Sequence, residues 1–214
     1  MHYFKFLLCF GLLFLTGCKG SIETRVNISD LLSTKTKDIV GDLYVEVPSC
    51  TSYKDSRQES DSLQKAKTQI SNIFTGAQFN ECFTKQFKSY AHFHIPMVLE
   101  RDNDGKLASE TKLNIQSSED NLLAVGFPSS IAEKLKRLEE SSLRTQSLDI
   151  EVNIEVVNDT GKSHSFRVIS AYIDGDPYVY ESLSAPADSS FLVTLSNVSV
   201  DNAKQNGSTF VLLH

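Results

Sequence analysis

An almost unbroken alternation of apolar and polar residues over positions 148–157 is the feature of this sequence that most restricts its fold. Side chains alternate between the two faces of a strand, so this pattern predicts a β-strand with one buried and one solvated face. Asn158-Asp159-Thr160-Gly161 follows as a turn, and residues 164–173 return as the partner strand. Further strand and turn signals continue to His214, so the C-terminal third is predicted to be sheet almost throughout.

Two other segments carry the spacing of amphipathic helices, with apolar residues three or four positions apart. In residues 58–74 the apolar positions are Leu63, Ala66, Ile70, Ile73 and Phe74. In residues 129–143 they are Ile131, Ala132, Leu135 and Leu138. Each segment follows a strand-like stretch that ends in Pro-Ser, "VEVPSC" at 45–50 and "VGFPSS" at 125–130.

The parallel order of these segments predicts two similar units in one α+β protein. Each unit has the form β-α-β-β, with an antiparallel sheet and one main amphipathic helix. The first unit is expected over residues 25–105, and the second, with extra C-terminal strands, over residues 106–214. When the two Pro-Ser stretches are aligned, Cys50 lies opposite Ser130. A cysteine pair that includes Cys50 would therefore belong to the first unit alone.

The N-terminal segment predicts export from the cytoplasm. Lys5 precedes an apolar run at residues 6–15, which is shorter than the roughly 20 residues of a membrane-spanning helix. A positive start, a short apolar core and small residues at its end are typical of a secretory signal peptide. The run ends in Leu15-Thr16-Gly17-Cys18, which resembles the lipobox of bacterial lipoproteins.

The lipobox resemblance implies a cellular location and a lipid anchor. It implies a signal peptide at residues 1–17, acyl chains such as palmitate on Cys18, and a polar tether over residues 18–24. Lys19 follows the cysteine in place of Asp, which favours the periplasmic side of the outer membrane in a diderm bacterium. In these respects the chain is similar to enterobacterial and prophage-encoded lipoproteins of unknown function. The resemblance carries no functional residues besides the lipidated cysteine.

The remaining cysteines predict a disulfide. Cys9 leaves with the signal peptide and Cys18 carries lipid, so Cys50 and Cys82 are a single pair in an oxidising compartment. If the loop at 51–57 runs back along the helix, the two Cα atoms can reach the ~5.5 Å that a disulfide requires. A catalytic thiol or a metal-binding cysteine pair are the alternatives.

Charge argues against nucleic acid as a partner. The chain has 27 acidic and 21 basic residues, a net charge of −6 at pH 7, whereas phosphate binding requires clustered cations. The basic run at residues 134–137 is bordered by Glu133 and Glu139, as on a solvated helix face. The expected partners are therefore the lipid bilayer, through Cys18, and an envelope protein or other envelope component.

Known catalytic motifs and nucleotide-binding loops are absent from the sequence, so we expect no cofactor and name no catalytic residue. His92 and His94 are weak metal candidates, because residues i and i+2 of a strand share a face. A third ligand would have to come from His164 or an acidic residue. Asp102, Asp104 and Gly105 only faintly resemble a calcium loop, because their spacing differs from that of the EF-hand pattern.

Two functions follow from these observations. The first is a membrane-anchored binding or interaction protein at the periplasmic face of the outer membrane. The alternative is a periplasmic hydrolase whose acidic or histidine site has no recognised motif, and it requires a pocket where these groups converge.

Overall fold

The computed structural model describes residues 19–101, 106–141 and 149–214. The predicted signal peptide at 1–17, the lipidation residue Cys18 and the acidic turn at 102–105 lie outside these residues. Within the described ranges, no helix has both the length and the apolar character needed to cross a membrane.

Eleven strands and four short helices make up the described chain. The strands are β1 (Lys19–Asn27), β2 (Lys37–Val47), β3 (Gln78–Lys85), β4 (Lys88–Arg101), β5 (Leu113–Ser117), β6 (Asn121–Gly126), β7 (Asp149–Val157), β8 (His164–Ile173), β9 (Asp176–Ala185), β10 (Ser190–Leu195) and β11 (Ser208–Leu213). The helices are α1 (Ile28–Leu31), α2 (Asp61–Ile73), α3 (Ser129–Ser141) and α4 (Asn197–Asn206).

Nine of the strands form one closed barrel, in the order β10-β7-β1-β2-β4-β5-β6-β11-β8. Strand β8 closes the ring because it pairs with β11 at Arg167 and Val168 and with β10 from Ala171 to Ile173. Two contacts in the ring are parallel, β1 with β7 and β4 with β5. Strands β3 and β9 lie outside the ring, β3 paired with β4 and β9 paired with β8.

The predicted α+β fold of two β-α-β-β units with antiparallel sheets is therefore wrong. The protein is mostly β, and its strands belong to one continuous mixed sheet. Strand β7 of the expected second unit pairs with β1 of the first, and β5 of the second unit pairs with β4 of the first. Alternation in a sequence predicts strands but carries no information on which strands become neighbours, and strands from both sides of residue 105 pair in the same sheet.

The two main helices are confirmed, and one helix was missed. Helix α2 begins after Ser60, whose side chain accepts a hydrogen bond from the Leu63 amide, and α3 covers most of the predicted segment 129–143. Helix α4 lies where the alternating stretch "NVSV" predicts strand. Its signals are Ser196 at the N-cap and Gly207, which ends the helix with a φ of 88°.

The predicted tether at 18–24 also differs from the structure, because Lys19 is already the first residue of β1. Ile22 is fully buried in the core, and Gly20 to Glu23 pair with β2 on one side and with β7 on the other. The residue that follows Cys18 thus belongs to the barrel itself.

Apolar side chains from the inward positions of the strands fill the core, together with one face of α2 and of α3. Its largest fully buried members are Phe93, Phe127, Ile22, Ile28, Leu31, Ile95, Met97, Leu99, Leu113, Ile115, Leu122 and Leu123.

A carboxylate in the β7–β8 turn holds α1, and this contact makes stability depend on pH. Asp159 accepts hydrogen bonds from the Ser29 amide and hydroxyl. Partial burial raises the pKa of Asp159, but the Ser29 bonds outweigh it and leave the pKa below its ordinary value. A depressed carboxyl pKa stabilises the folded state above the unfolded pKa, and the effect disappears as the pH falls through the folded pKa.

We therefore expect Asp159→Asn to lower the free energy of unfolding by about 1 kcal/mol at pH 7, since the site is largely exposed. The difference from the wild type should shrink below pH ~4, near the ordinary carboxyl pKa. Urea unfolding of both proteins at pH 7 and pH 3 measures it, and an equal difference at the two pH values would contradict the assignment.

Candidate functional site

Two histidines and an aspartate meet on the solvent-facing side of β2 and β4. In the antiparallel pairing of these strands, Asp42 lies opposite His94 and Tyr44 lies opposite His92. The residues between them, such as Leu43 and Phe93, point into the core, so all four side chains occupy the outer face. We call Asp42, His92 and His94 the histidine cluster.

One oxygen of Asp42 joins the two imidazoles. Asp42 Oδ1 lies 2.8 Å from His92 Nε2 and 2.9 Å from His94 Nδ1. The two rings are nearly perpendicular, with centroids 4.9 Å apart. The cluster is therefore compact, and its carboxylate accepts two hydrogen bonds when both ring nitrogens carry protons.

His92 is held from two further sides. Its ring stacks on Tyr44 with centroids 4.5 Å apart, and its Nδ1 lies 3.0 Å from the Asn80 side-chain amide. Asn80 reaches the ring because the β3–β4 register shifts between Phe79 and Glu81, which leaves Asn80 without a cross-strand partner. These contacts leave only 10 % of the His92 side chain exposed, against 44 % for His94 and 42 % for Asp42.

The surroundings of the cluster are acidic. Glu23 on β1 lies opposite Asp42, and Glu81 on β3 lies opposite His92. The pKa of Tyr44 lies above its ordinary value because of burial first, and then because of three carboxylates: Asp42, Glu23 and Glu81. A negative local potential favours a cation at this position.

The sequence-based pairing of His92 with His94 on one strand face agrees with this geometry, and the third group is Asp42. His164, the other candidate, bonds to Thr160 on another part of the barrel. Asp42 was missed because it lies 50 residues from His92 in the chain and becomes a neighbour only through the β2–β4 register.

The disulfide prediction is confirmed. Cys50 and Cys82 are bonded, with Cα atoms 5.6 Å apart. Cys82 lies on β3, two residues after Asn80, so the bond fastens the loop that follows β2 to the strand that supports His92. A catalytic thiol and a metal-binding cysteine pair are thereby excluded at these two positions.

Two clefts of the described chain lie away from the histidine cluster. One, of about 760 Å³, is lined by α3, α4 and the start of β7. Another, of about 630 Å³, lies between the β8–β9 hairpin and β10, where Phe166 stacks on Phe191. The histidines thus converge as the hydrolase alternative requires, but on an open strand face and not in either of these clefts.

A second surface feature is the outermost strand, β9. Among the described residues it pairs only with β8, so its other edge offers unpaired backbone groups. Val179 is 81 % exposed and Tyr180 is 59 % exposed, and the ten-residue strand contains no Lys or Arg. Tyr172 on β8 and Leu192 on β10 are also exposed nearby in the sheet.

Comparisons with known proteins assign the chain to a family by sequence. A family model described as a domain of unknown function (DUF7424) matches residues 20–214. No curated protein and no solved structure matches the chain. The matched residues begin in β1 and include every later strand and helix.

Proposed function

The chain belongs to the DUF7424 family of domains of unknown function, and on this premise we propose that it is a lipid-anchored protein of the bacterial envelope that binds another envelope protein along strand β9. The observation that carries the proposal is the free edge of β9 with its exposed Val179 and Tyr180.

The anchor part of the proposal is supported by the lipobox-like ending at Cys18 and by the start of β1 at the next residue. Acyl chains on Cys18 would hold the barrel directly against the bilayer, because no flexible spacer separates them. A partner must then lie within reach of the same membrane surface. The periplasmic side of the outer membrane remains the proposed location.

The binding part is supported by the composition of β9. Edge strands of stable monomers are usually short, or are interrupted by lysines and prolines that prevent pairing with other chains. Strand β9 is ten residues long, has Pro177 only at its second position and has Glu181 as its one later charge. An extended segment of a partner protein would add to this edge as a further strand, with Val179 and Tyr180 as side-chain contacts.

Site-specific photocrosslinking in intact cells tests this proposal. A photoreactive residue at Val179 should capture an envelope protein as one defined product. Val198 on α4 is a matched control, because it is the same residue type and is 74 % exposed, but lies on a helix without a strand edge. The same product from both positions, no product from Val179, or only a cytosolic protein would refute the proposal.

The hydrolase alternative has less support. Its histidines lie on the outer face of the sheet, where a substrate would be open to bulk water on one side, and the two clefts contain neither His92 nor His94. Enzyme sites usually enclose most of a small substrate. The histidine cluster is better suited to holding a small ion than to enclosing a substrate.

A further inference from the structure

We propose that Asp42, His92 and His94 bind a Zn²⁺ ion on the outer face of the barrel. This inference is independent of the partner proposed for β9, since it concerns different strands and a different kind of ligand. It rests on the geometry, the chemistry and the support of the histidine cluster.

The geometry suits a small ion with short bonds. The three ligand atoms all lie within 4.8 Å of one another, and Asp42 Oδ1 lies 2.8 and 2.9 Å from the two nitrogens. Zinc bonds of ~2.0–2.1 Å in a tetrahedron place ligand atoms about 3.3 Å apart. To ligate one ion, Asp42 Oδ1 and each nitrogen need to separate by only about half an ångström, and a nitrogen–nitrogen distance at the 4.8 Å limit needs to shorten by about 1.5 Å.

The donor set selects the class of metal. Two imidazole nitrogens and one carboxylate oxygen suit Zn²⁺ and similar transition metals, whereas Ca²⁺ and Mg²⁺ prefer oxygen ligands throughout. The Asp42 carboxylate supplies a negative charge to the site, and Glu23 and Glu81 beside it add to the attraction for a cation. Three protein ligands leave a fourth position, which water fills on this exposed face.

The support of His92 resembles that of a metal ligand. A ligating histidine usually donates its other ring N–H to an acceptor, which fixes the tautomer and the ring orientation. With its amide turned so that the oxygen faces the ring, Asn80 accepts from Nδ1–H and leaves the Nε2 lone pair directed at the ion. Stacking on Tyr44 fixes the plane of the same ring, so one ligand is ordered before the ion binds.

The cluster is open to solvent on the side of its other two ligands, His94 and Asp42. His94 and Asp42 are each a little under half exposed, so an ion can reach the cluster from solvent without an opening of the sheet. Their exposure also means that substitution of His94 should leave the core, and therefore the fold, intact.

Isothermal titration of the mature chain, carrying a histidine-free tag and stripped of metal by a chelator, tests the proposal. We expect one Zn²⁺ per chain, undisturbed by millimolar Ca²⁺ or Mg²⁺. His94→Ala should weaken the affinity by more than about 100-fold, since the loss of outer-shell partners alone typically costs 10–100-fold. Asn80→Ala should weaken it about 10-fold.

His164→Ala is the matched control, because it removes a histidine of the mature chain that lies outside the cluster. It should bind Zn²⁺ as the wild type does, and imidazole NMR signals of His92 and His94, but not of His164, should shift on titration. Circular dichroism verifies that each variant is folded. Failure of the wild type to bind Zn²⁺, or equal losses in His94→Ala and His164→Ala, would overturn the proposal.

Discussion

A Cys18→Ser variant should lose palmitate labelling completely, retain residues 1–17 and leave the membrane fraction that holds the wild-type protein. The physical reason is the thiol itself, because a serine hydroxyl does not form the thioether that carries the acyl chains in bacterial lipoproteins. Each buried methylene contributes ~0.8 kcal/mol to membrane binding, and one chain binds only weakly, whereas several chains bind durably. Metabolic labelling followed by membrane fractionation measures both effects.

Cys9→Ser is the control for this experiment, since it removes the other cysteine of the N-terminal segment. It should label and fractionate like the wild type. Undiminished labelling of the Cys18→Ser variant would show that the lipobox resemblance is accidental, and the anchored part of the proposed function would be abandoned.

Loss of the Cys50–Cys82 disulfide should lower the free energy of unfolding of the mature domain by roughly 2–4 kcal/mol. The bond joins residues 32 positions apart and so restricts a long loop in the unfolded chain. In the folded chain it fastens β3, which lies outside the barrel ring and pairs only with β4 among the described strands. We expect most of the lost stability to appear as local unfolding of β3 and of the loop before α2, ahead of the rest of the domain.

Denaturant unfolding of the wild type and of a Cys50→Ser/Cys82→Ser double variant, each with and without reductant, measures this contribution. Reductant should destabilise the wild type and leave the double variant unchanged, which separates the bond from other effects of the reductant. Hydrogen exchange should locate the change in β3. Two free thiols in the oxidised, denatured wild type would contradict the assignment, as would an unchanged midpoint.

Local features of the fold were predictable from the sequence because they depend on short-range physics. The stripes of α2 and α3 and the alternation within β7 come from interactions within a few residues. The predicted return of residues 164–173 as the partner of this strand was wrong, because β7 pairs with β1 and β10, whereas β8 pairs with β9, β10 and β11. Helix α4 was missed because "NVSV" has the period of a strand, and the cap at Ser196 and the stop at Gly207 are weaker signals than that period.

Closure of the barrel was not predictable in the same way. Parallel contact of β1 with β7 and the junction of β8 with both β10 and β11 depend on the free energy of the whole sheet. The same limit applies to the histidine cluster. His92 and His94 share a face through local geometry, but Asp42 joins them only through the β2–β4 register, which no spacing within one strand reveals.

The position of β1 between β2 and β7 has a consequence for the time course of folding. β1 is made first, but its parallel partner lies 130 positions later in the chain, as in the pairing of Ile22 with Val152. Contacts of such long sequence separation slow folding, because the entropy of closing the loop is lost before the pairing compensates for it. A chain fixed to a bilayer at Cys18 would thus complete its sheet beside the membrane, where β1 gains its second neighbour only after β7 has been made.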